Sequence, residues 1–134
     1  MSTNTAVATQ AARTRAPGGQ GVVFVHANDP GGNAVIAFRR GDYAGAVDAL
    51  YPRRGEVRLI GGSHAQRDVF ARLLILAALK SGKVNLARAL LAERAARNPN
   101  SAWTWTRSAE ALAALGDAAG ASAARERAAR LLAA

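Results

Sequence analysis

Residues 75–87 read Ile75-Leu76-Ala77-Ala78-Leu79-Lys80-Ser81-Gly82-Lys83-Val84-Asn85-Leu86-Ala87. A glycine interrupts an apolar stretch, an alanine follows it by five positions, and apolar residues stand four and seven positions before it, at Ala78 and Ile75. The same arrangement recurs about Gly41, with Ala34, Ala37 and Ala46, and about Gly116, with Ala109, Leu112 and Ala121. Between these glycines the apolar residues return every three or four positions: Val69, Leu73, Leu76 and Leu79, then Leu86, Leu90 and Ala92. That is the period of a helix with one buried face. A glycine at the end of a helix supplies the positive φ that reverses the chain, and small residues beside the turn let two antiparallel helices approach closely. The pattern predicts a helical hairpin repeated three times from Ala34 onward. The interval from Gly41 to Gly82 is longer than that from Gly82 to Gly116, and the excess fits a Gly- and Arg-containing loop between Pro52 and His64.

The shorter interval matches the helix-turn-helix period of about 34 residues that defines the tetratricopeptide class. Its Trp-x2-Leu-Gly-x2-Tyr pattern is met loosely by Trp105, Ser108, Ala109 and Leu112, with Ala121 and Ala128 following at the expected distances. The second unit, from about Asp68, keeps Ala78, Gly82, Ala87, Leu91 and Pro99, and the first keeps Ala34, Ala37, Gly41, Ala46 and Leu50. Arg94 and Arg125 depart from the pattern, since such repeats place apolar or small residues there. The expected fold is all-α: a short tetratricopeptide-like solenoid of about three helical hairpins over residues 34–134, with a plain helical bundle as the alternative. Residues 1–33 are expected to be a disordered or irregular N-terminal extension. Met1 to Gly21 is polar and small-residue-rich with no apolar period, Gly21 to Val25 is a short β-prone run that reads as either a strand-like arm or an irregular lead-in, and Asn28-Asp29-Pro30-Gly31-Gly32 is expected to break whatever precedes it.

Ile60-Gly61-Gly62-Ser63-His64-Ala65-Gln66-Arg67-Asp68-Val69-Phe70 carries a more specific signal. It is preceded by Arg40-Gly41-Asp42-Tyr43 with Ala46-Val47, and followed by Ala87-Arg88, Glu93-Arg94 and Asn98-Pro99-Asn100-Ser101. Over roughly residues 34 to 105, the chain resembles the C-terminal part of the tetratricopeptide repeat protein 38 family. The resemblance implies a piece of a longer α-solenoid and no established catalytic activity. Read physically, Ser63 and Gln66 have the spacing of a capping box at a helix start, with Gly61-Gly62 turning the chain into it. The functional alternative, an anion pocket of glycines, helix N-terminus and Arg67, is the weaker reading.

The chain has no cysteine, which removes disulfides, thiolate metal sites and cysteine nucleophiles. The longest uninterrupted apolar run, Leu73 to Leu79, is far below the roughly 20 residues of a bilayer span, so no transmembrane helix is expected. With no signal-peptide-like segment, a cytoplasmic protein is expected. Only His26 and His64 are of the residue type that serves as a near-neutral acid-base group. Ser63, His64 and Asp68 do not form a relay on one helical turn, so the expectation is no enzyme, no metal and no cofactor.

Net charge is +9, carried by 18 Lys+Arg against 9 Asp+Glu. Arginine dominates and is spread along the chain rather than blocked. Asp68 to Arg72, Glu93 to Arg97 and Glu126 to Arg130 are acid-before-base pairs at i, i+4, which suit a solvated helix face. The leading expectation is a protein-interaction module with a protein or acidic peptide partner; the alternatives are a nucleic-acid-binding module and a fragment of a longer solenoid with no independent function, and the open end of a stacked repeat leaves room for a homo-oligomer. In the register of the three glycines the concave positions of the first helices, expected to form a basic binding groove, are Phe38 and Arg39, then Arg72, Leu76 and Lys80, then Trp103 and Thr106. Cations among apolar and aromatic side chains suit an acidic peptide or a free carboxylate. Trp103 and Trp105, two apart on one helix, point to nearly opposite sides, and the register makes Trp105 the packing residue.

Overall fold

The computed structural model describes residues 11–15, 22–26, 30–52, 54 and 64–134. Six helices fall among them: α1 (Pro30–Arg39), α2 (Tyr43–Leu50), α3 (His64–Lys80), α4 (Val84–Arg97), α5 (Ala102–Ala114) and α6 (Ala118–Ala133). Two short strands precede them, β1 (Ala11–Arg15) and β2 (Val22–His26), paired antiparallel with Ala11 opposite His26 and Arg15 opposite Val22. Among the described residues no helix is long and apolar enough to cross a membrane.

Of the two readings open for Gly21 to Val25, a strand-like arm and an irregular lead-in, the structure takes the first. The β-prone run forms β2 and finds a partner in β1. The helices also begin at Pro30 rather than Ala34. β2 ends at His26, ahead of the expected break, and Pro30 starts α1 within it, since proline in the first turn of a helix lacks only an N–H that would have no partner anyway. Gly31 serves packing: a Cβ there would lie 2.7 Å from the tip of the Phe70 ring, so a larger residue would require that ring to shift. The capping-box Ser63 and the turn Gly61-Gly62 lie outside the described residues.

By its internal contacts the chain divides into two compact units, Met1–Ser81 and Gly82–Ala134. In the first, α1 packs on α2, and α3 packs on both. Ala34, Val35, Ala46, Val47, Leu50, Phe70, Leu73, Leu74, Ile75, Ala77 and Ala78 form its core. The buried stripe of α3 is broader than the series Val69, Leu73, Leu76, Leu79 and rotated from it: Leu73 is buried, while Val69, Leu76 and Leu79 are half-buried. A helix covered from two sides buries more than one face, which a single-stripe reading does not anticipate. In the second unit α5 packs on α4 and on α6. Its core is built mainly from Ala87, Leu90, Leu91, Ala109, Ala111, Ala121, Ala124 and Ala128. Here too the expected series shifts, since Leu91 is buried where Ala92 is exposed.

The turns follow the sequence pattern closely. Gly41, Gly82 and Gly116 have φ of 81°, 84° and 85°, in the left-handed region where a Cβ is strained. At Gly41 the glycine N–H donates to Phe38 O and the next N–H, of Asp42, donates to Ala37 O. At Gly116 the matching bonds run to Ala113 O and, from Asp117, to Leu112 O. This is the Schellman arrangement, and it ties off the last carbonyls of α1 and α5. The apolar residue four before each of these two glycines is thus the acceptor that closes the turn. The residues seven before and five after the three glycines, Ala34, Ile75, Ala109, Ala46, Ala87 and Ala121, are all buried.

The aspartate after the glycine does a second job. Asp42 accepts from Gly45 N at 2.9 Å and Asp117 from Gly120 N at 2.9 Å, capping α2 and α6. A short reversal therefore ends one helix and starts the next. Lys83 holds the same place before α4 and makes no side-chain cap bond.

Candidate functional site

The seven residues expected at the concave positions of the first helices fall into two sets, one in each unit. In the first unit Phe38 is half-buried with its ring edge-on to Tyr43, the centroids 5.1 Å apart. Lys80, at the end of α3, places Nζ 5.4 Å from the centre of the same Tyr43 ring. Phe38 and Lys80 are brought together, and Tyr43 joins them. Arg39 is exposed in the last turn of α1. Leu76 is half-buried and belongs with the flank of the core. Arg72 donates from Nε to Asp68 Oδ2 at 2.8 Å, the i, i+4 pair expected from sequence.

In the second unit Thr106 is exposed and its hydroxyl donates to Ala102 O at 2.9 Å within its own helix. Trp103 is half-buried and lies under two guanidinium groups: Arg94 from α4, with Cζ 5.2 Å from the ring centre, and Arg107 one turn further along α5, at 5.8 Å. The side chain expected to cover an apolar group of a ligand is thus engaged by cations of its own chain. Trp105 faces the other way, as the two-residue offset requires. Its Nε1–H donates to Pro99 O at 2.7 Å, and Arg127 of α6 stacks on it at 5.6 Å.

Arg94 is held in place by a hydrogen bond. Its Nε donates to Thr104 Oγ1 at 3.1 Å, and Thr104 is fully buried. Ser101 caps α5 by accepting from Thr104 N, so the start of that helix fixes the acceptor for Arg94. Arg107 reaches Glu110 through Nη1, and its Nε is buried with no hydrogen-bonding partner. A guanidinium over an indole gains from the negative face of the ring and stacks on it through its own planar face.

Tyr43, Arg94, Arg107 and Arg127 were not among the site residues read from sequence. The spacing of Trp103 and Arg107, i and i+4, carried a signal. Arg94 carried another, since it stands where the repeat pattern calls for a small or apolar residue. Arg127 reaches Trp105 from a different helix and required the packing of α6 on α5 to be known. Among the described residues no group of three or more His, Asp or Glu gathers where a metal ion could be held. No family model matches the chain.

Proposed function

We propose that this chain is a non-catalytic protein-interaction module of the tetratricopeptide type, similar to the C-terminal part of the tetratricopeptide repeat protein 38 family. It acts by holding a peptide or a partner domain on a basic, aromatic-bearing surface, in the cytoplasm. The observation that carries the reading is the repeated turn. Glycines 41, 82 and 116 all have positive φ and each has a buried alanine five positions on, a recurrence that supports a repeated helical hairpin. A chain of repeated units works through extended surface rather than through one enclosed reaction centre. The surplus of arginine, with Lys80 and Arg39 at the ends of α3 and α1, gives that surface its preference for acidic partners.

Binding of acidic peptides to the wild-type chain and to an Arg72→Gln, Lys80→Gln double variant tests the proposal. Glutamine is the replacement because a glutamate at 72 would stand against Asp68 and perturb the fold. A charge-assisted hydrogen bond contributes about 1.5 to 3 kcal/mol, so loss of one such contact weakens binding roughly tenfold or more. Binding of nucleic acid alone, falling steeply with salt, would replace this reading with the other one.

A further inference from the structure

Counted from Gly82 and Gly116, α4 and α6 can be compared position by position. Both bury one common face, Ala87 and Leu90 on α4 and the matching Ala121 and Ala124 on α6. They differ on a second flank. On α4, which carries α5 against it, Leu91 is 1% exposed and Val84 and Ala95 are half-buried. The matching residues of α6 are Arg125, Ala118 and Ala129, and all three are exposed. Spaced i, i+7 and i+11, these positions form one strip along each helix.

Leu132, 75% exposed, continues the strip on α6 two turns beyond Arg125. Ala118, Ala129 and Leu132 suit the side of a packed helix, and Arg125 is the one charged residue among them. No acidic residue stands three or four positions from Arg125 along α6. A helix laid over the strip would therefore bury a guanidinium that has no partner on its own helix, and the small side chains around it gain too little from burial to offset that cost.

We propose that Arg125 makes this strip a cap: it holds the outer flank of α6 in water and closes it to a second copy of the chain. The inference rests on the repeated-hairpin reading and goes beyond it by giving the departure at residue 125 a task. A stacked-repeat protein needs a polar outer face where the stack meets water, because the flank that takes a neighbour inside the stack otherwise invites another. Arginine suits the place, since its stem covers apolar surface while its head stays solvated.

Sedimentation equilibrium of the full chain and its variants tests the cap. The wild-type chain stays monomeric over a wide range of concentration, and so does Arg125→Lys. Arg125→Leu self-associates roughly tenfold more tightly or better, with an unchanged far-UV spectrum. Adding Leu132→Gln to Arg125→Leu weakens that association, which places the contact on this strip. A monomeric Arg125→Leu chain overturns the cap, as does a wild-type chain that associates as readily as the variant, or an Arg125→Leu dimer indifferent to Leu132→Gln. Urea unfolding of Leu91→Arg separates the cap from the reading beneath it. If the midpoint falls while Arg125→Leu stays monomeric, the cap alone is wrong. If the midpoint does not move, α4 and α6 are not equivalent, and the repeated-hairpin reading falls with the cap.

Discussion

The double role of Asp117 makes a quantitative prediction about Gly120. Its carboxylate accepts from Gly120 N, and a Cβ added at Gly120 would lie 2.3 Å from Oδ2 and 2.8 Å from Cγ of the same side chain. Replacing Gly120 by alanine inside α6 should stabilise the helix by up to about 1 kcal/mol through backbone entropy. The methyl group occupies the carboxylate's place, however, so the cap must rotate away, and losing an N-cap costs about 1 kcal/mol. Gly120→Ala alone is therefore close to neutral. Asp117→Ala alone costs about 1 kcal/mol, and adding Gly120→Ala to it recovers nearly all of that loss, because no carboxylate remains to be displaced. The two sites couple by about 1 kcal/mol in a double-mutant cycle. Urea unfolding of the four chains measures it as a shift in midpoint at constant slope. A Gly120→Ala chain stabilised by a full kilocalorie in the presence of Asp117, with additive effects, would refute the reasoning. The chain already holds a related comparison. Gly45 stands in the same relation to Asp42, whereas the third turn has Lys83 at the cap position and Leu86 three residues on.

Ala121 is fully buried and Ala123 is exposed, so Ala121→Leu should destabilise by roughly 1 to 3 kcal/mol and Ala123→Leu by much less; equal thermal shifts would contradict the hairpin register. Thr104→Val keeps the shape of the side chain but removes the acceptor for Arg94 Nε, and a cost of about 1 to 3 kcal/mol in chemical denaturation is expected for the stranded donor. Gly116→Ala forces a Cβ into the left-handed region at φ 85° with open space around it, so the loss, about 1 to 2 kcal/mol by calorimetry, reports backbone strain alone.

The parts of the fold legible in the sequence are those fixed by local chemistry. A glycine forced to positive φ and an alanine pressed between two helices are demands of a few neighbouring atoms, so their spacing marks the turns at 41, 82 and 116 and the buried positions around them. The helix faces were less legible. Val69 and Leu76 share the apolar character of Leu74 and Ala77, and only the placement of α1 and α2 decides which of them α3 buries. Pro30 and Gly31 read as a break because both are poor helix formers. Their actual use depends on a helix terminus and on the Phe70 ring, which belongs to a helix far along the chain from Gly31.

Pairings within one helix can be read from spacing alone. Trp103 and Arg107 lie one turn apart, and Asp68 and Arg72 form the pair their spacing announces. Arg94 shows how a departure from a repeat pattern should be weighed. A charge placed where the pattern wants a small side chain is costly to bury unless something satisfies it, and Thr104, fully buried at the start of α5, does so through one hydrogen bond. That bond requires Ser101 to start α5 where it does, since the same Thr104 gives its N–H to the Ser101 hydroxyl. Cap, buried threonine, arginine and indole are thus one dependent chain, and a serine that looks like an ordinary helix start sets where a guanidinium stands on the surface. Ser101→Ala should consequently do more than cost the roughly 1 kcal/mol of a lost cap. By loosening the first turn of α5 it should free Arg94 from Trp103 and change the emission of that indole, while Ala substitution at the Asp42 cap, in the other unit, leaves the emission as it is.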